Sequence, residues 1–320
     1  MATAQQLKSL IKSHFEDSGD NRFVTLALQI AAHEARLGHT GLANDIRGLI
    51  DNSKPIMVRQ LKPLNKELED LIIEVEGNDK LSELIVSNVL KARLEKILNE
   101  YRNSSKLLKH GLENRRKILL SGPPGTGKTM TASIISRELN IPLYVILMDK
   151  VITKFMGESS AKLRTIFNHI RSNKAIYLFD EFDAIGGERG KDNDVGEMRR
   201  VVNSFLKFIE MDDSESIIIA ATNNLKLLDE ALFRRFDDVL LYQRPNETEI
   251  KSLINNRLAN FKGNIIIDNI LSHCKGLSHA EISKACLDAI KEAILSNKLN
   301  VSEDVLIESL KDRSNFYNKI

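Results

Sequence analysis

At 320 residues the chain is long enough for two or three units with cores of their own, and 46 Lys and Arg against 44 Asp and Glu leave a formal charge of only +2. That balance argues against any global attraction to nucleic acid or to an acidic membrane surface, while leaving a local basic face open. The start, MATAQQLKSLIK, lacks the apolar core of a signal peptide, and no window reaches the ~18 apolar residues that span a bilayer, so a soluble, cytoplasmic protein with no membrane partner is expected.

Residues 1–60 read as a small all-helical module for recruitment or partner binding. Leu7, Leu10, Ile11 and Phe15 share one helical face, as do Phe23, Leu26, Ala27 and Ile30, and then Leu42, Ile46, Leu49 and Ile50. Asp51–Asn65, with Pro55, Pro63 and scattered charge, has the composition of a linker.

Five apolar runs of strand length follow: Ile118–Leu120, Leu143–Leu147, Ile176–Phe179, Ile217–Ala221 and Val239–Tyr242. None alternates with polar residues, which suits strands covered on both faces. Helical spacing lies between them, clearest at Leu163, Ile166, Phe167 and Ile170. Strand and helix in alternation predict an α/β fold over residues 61–245, a parallel five-stranded sheet flanked by helices. From residue 246 to 320 only helical stripes remain, Ile250, Leu253, Ile254 and Leu258, then Ile282, Ala285, Cys286, Ala289, Ile290 and Ala293. Ser278 and Glu281 are spaced as a capping box for the second stripe. Cys274 and Cys286 fit no metal or redox spacing and sit among apolar helix formers, so buried free thiols are expected.

The chemistry begins at Gly122–Thr129, GPPGTGKT, which fits GxxxxGK[ST] between a predicted strand and a predicted helix. A tight turn rich in Gly and Pro would need no Lys-Thr pair opening the helix; a phosphate-binding loop does. Gly122, Pro123, Pro124, Gly125, Thr126 and Gly127 form a loop whose backbone N–H groups can wrap phosphates, and Met130 follows on the helix. Lys128 is placed to reach the β and γ phosphates of ATP, and Thr129 to hold Mg²⁺ by its hydroxyl. The run IYLFDE, Ile176–Glu181, buries a strand and delivers two acids at its carboxyl end. Asp180 is the expected second magnesium residue and Glu181 the group that polarises the attacking water, with Asp183 following on the same rim.

On these residues the chain from about Val75 onward resembles the AAA family of ATPases, in the clade that remodels proteins, including the katanin- and spastin-like, membrane-anchored protease and proteasomal ATPases. The stretch Phe208–Asn246 is similar to that family's second region of homology. The resemblance implies a P-loop fold with a C-terminal helical lid, Asn223 as the polar sensor of the γ-phosphate or attacking water, and Arg234 and Arg235 as arginines reaching into a neighbouring subunit's site. Such an arrangement implies a homo-oligomer, by analogy a hexameric ring. GLSHAEI, Gly276–Ile282, resembles the lid motif, making Gly276 and Ala280 nucleotide-contact candidates. Glu74–Leu84 resembles the segment over the adenine, with Gly77 a weak candidate. Asp237 and Asp238 depart from the basic residue that many relatives carry after the arginines.

Phe155, Met156 and Gly157 match the family's pore loop, where an aromatic and a thioether grip polypeptide without demanding a sequence. The resemblance therefore implies an ATP-dependent protein unfoldase that pulls a protein substrate through a ring. No HExxH occurs in the chain, so any peptidase would be a separately encoded protease or effector. Two other readings stay open, an ATP-controlled nucleic-acid loader, disfavoured by Phe155, Met156 and the neutral charge balance, and a non-motor scaffold whose assembly ATP gates.

Overall fold

The computed structural model describes residues 41, 66–153, 157–185, 192–224 and 233–317. Nearly all of the expected N-terminal module, together with Phe155 and Met156, lies outside the described residues. The chain divides after Pro63, and Leu64–Ile320 is the unit considered below.

Among the described residues its sheet has six strands: β1 (Ile72–Val75), β2 (Lys117–Ser121), β3 (Leu143–Ile146), β4 (Ile176–Phe179), β5 (Ile217–Thr222) and β6 (Asp238–Leu241), in the order β1-β3-β4-β5-β2-β6. The last five are the strands expected from the apolar runs, and they pair in parallel. The sixth corrects the five-stranded prediction: β1 adds to the outer edge of β3 in antiparallel register, Ile72 opposite Ile146 and Val75 opposite Leu143. The sequence carries little sign of it because an edge strand needs little apolar surface. In β1 only Ile72 is buried, while Ile73 and Val75 face outward at 48% and 38% exposure.

The central strands read as unbroken apolar runs because each face has its own helices. On one face α1 (Asn88–Arg102) and α2 (Lys128–Leu139) bring Leu94, Ile97, Ile134 and Ile135 onto Ile118, Leu120, Leu178 and Ile219. On the other, α3 (Glu158–Ser172) and α4 (Asp192–Glu210) bring Leu163, Ile166, Phe167, Ile170, Phe205 and Ile209 onto Leu119, Tyr177, Phe179 and Ile218. The period of two within β4 thus sends Leu178 and Phe179 into different cores. Phe205 is the hub of the second core, with ring centroids 5.1 Å from Phe179, 4.6 Å from Phe182 and 5.7 Å from Phe167. Truncating a buried aromatic of this kind costs about 3–5 kcal/mol.

A third core lies among α5 (Glu247–Leu258), α6 (His279–Leu295) and α7 (Glu303–Tyr317), where Leu253, Ile254 and Leu258 meet Ile282, Cys286, Leu306 and Leu310. The second of these helices starts where the Ser278–Glu281 spacing predicts. Asn246 with Glu249, and Ser278 with Glu281, form reciprocal capping boxes that satisfy N–H groups which the helix itself leaves without acceptors. Cys274 and Cys286 are free and buried, and burial pushes both thiols up to about 12. Among the described residues no helix is long and apolar enough to cross a membrane.

The two acids that break the family pattern have structural partners. The Asp237 carboxylate accepts the backbone N–H of Arg116 and of Lys117, each at 2.9 Å, and Asp238 pairs with Arg93 and, at 3.0 Å, with Arg115. They tie β6 to the entry of β2 and to α1.

Candidate active site

Parallel pairing sets the site. Ser121 at the end of β2 lies opposite Thr222 at the end of β5, and Phe179 at the end of β4 lies opposite Ala220. The three carboxyl ends therefore share one rim, and the residues that leave them, Gly122 onward, Asp180-Glu181 and Asn223, arrive together although the first and last are about a hundred positions apart in the chain.

The loop after β2 is closed by its own bonds. Thr126 Oγ1 donates to the Pro123 carbonyl at 2.8 Å, and Thr131 Oγ1 to the Gly127 carbonyl at 3.0 Å. Lys128 opens α2 and is buried; its Nζ donates to the carbonyls of Gly122 (2.7 Å) and Pro123 (2.9 Å) and to Asn223 Oδ1 (2.9 Å). Burial lowers the Lys128 pKa, and the nearby Asp180 and Asp183 oppose that shift. The ammonium is thereby held at the mouth of the helix, where backbone N–H groups already favour an anion.

On the acid side Thr129 Oγ1 donates to Asp180 Oδ2 at 2.6 Å, while Asp180 Oδ1 accepts the backbone N–H of Glu181 at 2.9 Å. Glu181 has φ +51°, the left-handed region that a residue with a Cβ rarely occupies. That turn separates the two carboxylates and leaves Glu181 exposed on the cleft. Asp183 Oδ1 accepts the Asn223 backbone N–H at 3.2 Å and so ties the exit of β5 to the turn after β4.

These groups line one cleft of about 440 Å³. Pro124, Gly125, Thr126, Gly127, Lys128, Thr129, Met130, Asp180, Glu181, Asn223 and Ala280, all singled out from the sequence, border it. The helical C-terminal part closes it at Gly125: a Cβ there would lie 2.6 Å from Ser278 Oγ, and the Ala280 N–H donates to the Gly125 carbonyl at 3.0 Å. Gly122 and Pro123 act through their carbonyls on Lys128 rather than as walls.

Among the described residues, the remaining site residues named from the sequence lie outside the cleft. Gly276 does not line the cleft; its carbonyl accepts from Arg244. Gly77 presses on α2, where a Cβ would meet the Ser133 carbonyl at 2.6 Å, and Glu83 and Leu84 of the same segment border the cleft instead. Arg234 is exposed and Arg235 lies 3.6 Å from the Glu210 carboxylate, and neither borders the cleft of its own chain. Gly157 caps α3 with φ +85°. Of the cleft residues not singled out from the sequence, Ile85, Arg257 and Ser283 belong to no motif named above, Leu253 lies on the helical stripe of α5, and His279 lies within GLSHAEI beside Ala280.

The donor set suits a hard divalent cation. Thr129 and Asp180 offer oxygen only, and among the described residues no group of three or more His, Cys, Asp or Glu stands close enough to hold a metal ion by itself. Magnesium is bound in this manner, by one or two protein oxygens together with phosphate oxygens and water.

A family model described as "ATPase family associated with various cellular activities (AAA)" matches residues 118–244. An uncharacterized AAA family ATPase of Sinorhizobium fredii is 31% identical over 320 residues, covering 98% of this chain and 96% of its own length. An ATP-dependent zinc metalloprotease FtsH of Mycoplasmopsis synoviae is 30% identical over 247 residues, 74% of this chain but 36% of its own length. A proteasome-activating nucleotidase of Sulfurisphaera tokodaii is 34% identical over 218 residues, 64% of this chain and 55% of its own length. Matched by one such protein almost from end to end, the chain belongs to the AAA family of ATPases and is an ATP hydrolase.

Proposed function

We propose that this chain is an ATP-driven protein unfoldase that works as a homo-oligomeric, hexameric ring on a protein substrate, serving a separately encoded protease or effector. The observation that carries it is the convergence of Lys128, Thr129, Asp180, Glu181 and Asn223 on one cleft, with Arg234 and Arg235 lying away from it. That separation supports a site completed by Arg234 of the partner subunit. The relatives named as a proteasome-activating nucleotidase and an ATP-dependent metalloprotease support protein as the load.

In this reading residues 1–60 recruit, 61–245 form the large ATPase subdomain, and 246–320 form the lid that meets the phosphate loop at Ala280. Lys128 and the N-terminus of α2 hold the β and γ phosphates of ATP. Glu181 takes a proton from the attacking water, and Asn223, fixed by Asp183, orients that water. Arg234 of the partner subunit stabilises charge on the transferring group, with Arg235 beside it. Thr129 and Asp180 would hold Mg²⁺, which supplies the positive charge that balances the phosphates. Phe155, Met156 and Gly157 grip the polypeptide.

Steady-state ATP turnover measured with a permanently unfolded polypeptide, with DNA or RNA, and with neither tests the proposal. An unfoldase hydrolyses faster with the polypeptide. Stimulation by nucleic acid alone would make it a loader, and indifference to both would make it an assembly scaffold.

A further inference from the structure

Tyr242, just past the end of β6, has no part in the mechanism above and does not border the cleft. It is buried among the side chains of the first core, where phenylalanine would fill the same space. Its hydroxyl therefore needs a reason of its own. The phenol oxygen lies 2.6 Å from Oγ1 of Thr131, one turn into α2, and Thr131 Oγ1 in turn donates to the Gly127 carbonyl at 3.0 Å. A threonine hydroxyl has a single proton, so with that proton on Gly127 the phenol is the donor between the two. Burial raises the Tyr242 pKa, which keeps the phenol protonated and able to donate.

The Gly127 carbonyl is where this chain of bonds meets the chemistry. It accepts the Thr131 hydroxyl and also the Thr131 backbone N–H, at 3.0 Å. In a trans peptide the C=O and N–H point in opposite directions. A Gly127 carbonyl held along α2 thus turns the Lys128 N–H out of the helix N-terminus, toward the cleft that Gly127 and Lys128 border. Gly127 has φ +101° and no Cβ to limit rotation of that peptide, so the restraint must come from outside the residue. The start of the loop meets the same tyrosine. The Tyr242 N–H donates to the Ser121 carbonyl at 2.7 Å, and a Cβ on Gly122 would collide with the Tyr242 carbonyl. One residue leaving β6 thereby braces both ends of the phosphate loop.

We propose that Tyr242 is a positioning residue for the phosphate loop: through Thr131 its phenol fixes the Gly127 peptide, and with it the Lys128 N–H that meets the phosphates. This deepens the ATP-site reading and rests on it. Tyr242 touches neither the nucleotide nor a reacting atom; it sets how tightly the phosphates are held.

Equilibrium binding of ATP and of inorganic tripolyphosphate to the full chain, in magnesium, tests it in wild type, Tyr242→Phe, Thr131→Val, Thr131→Ser and the double variant Tyr242→Phe with Thr131→Val. One lost hydrogen bond predicts that Tyr242→Phe binds both ligands about two- to tenfold more weakly, by the same factor. Thr131→Val loses at least as much, and Thr131→Ser, which keeps the hydroxyl, binds as wild type does. The double variant is no weaker than Thr131→Val alone, because the two groups act in series. Wild-type tripolyphosphate affinity in folded Tyr242→Phe, even with a lowered Tm, would make the phenol a structural brace only and overturn the proposal. So would a double variant whose loss is the product of the two single losses. Were Tyr242→Phe not to fold, Thr131→Val binding tripolyphosphate as tightly as Thr131→Ser would overturn it from the other side of the bond. Lys128→Ala separates the two levels: if both ligands bind it as they bind wild type, the cleft is not the phosphate site and the underlying reading fails first.

Discussion

The Lys128 ammonium and the Asn223 side chain are joined by a 2.9 Å hydrogen bond that links the helix after β2 to the end of β5. The same ammonium holds two loop carbonyls, so Asn223 is one of three acceptors. Asn223→Ala should leave ATP affinity within about threefold, because both carbonyls still position Lys128. Turnover should fall ~10²-fold, the scale for removing one preorganised polar group from a reacting centre. A loss confined to binding, measured by titration beside single-turnover hydrolysis, would show that Asn223 only braces the lysine.

Glu181 occupies a left-handed backbone conformation that costs on the order of 1–2 kcal/mol for a residue with a Cβ. Strain of this kind at a cleft motivates a catalytic role for the side chain it presents. Glu181→Gln keeps the shape and removes the base; it should bind ATP normally and hydrolyse it ~10²–10⁴-fold more slowly. Near-normal turnover would remove Glu181 from the chemistry.

Arg234 does not border the cleft of its own chain. Arg234→Ala and Lys128→Ala subunits should each be inactive alone, and mixing them should restore part of the hydrolysis at interfaces where an intact cleft meets an intact arginine. A mixed assembly, verified by two affinity tags, that recovers nothing would count against catalysis in trans.

Burial pushes Cys274 and Cys286 up to about 12 from an ordinary value of 9.0. Raised thiols keep their protons in the folded state while the unfolded chain releases them, so stability is intact below about pH 9 and falls as pH rises from there toward 12. At pH 8 neither thiol should react with a maleimide until the third core opens, and both should react in denaturant. Mass spectrometry that finds rapid labelling of the native protein would contradict the packing of α5, α6 and α7.

The phosphate loop and the acidic strand end were legible because Gly122–Thr129 and Ile176–Glu181 are each continuous, with a strand and its polar exit encoded side by side. The buried strands were legible for the same reason, since two covered faces demand unbroken apolar runs. β1 was not, because an edge strand is held mainly by backbone bonds to β3 and asks little of its side chains. Glu83, Leu84 and His279 lie in stretches that resemble the family's adenine and lid segments, but these residues, Leu253 and Arg257 come from three separate segments, and no local pattern records that they converge. The sequence by itself determined that the chain carries the parts of an ATPase. Only the tertiary structure decided which residues from distant segments wall the cleft and that the arginine pair lies outside it, because those relationships depend on how distant elements pack rather than on any stretch of neighbouring residues.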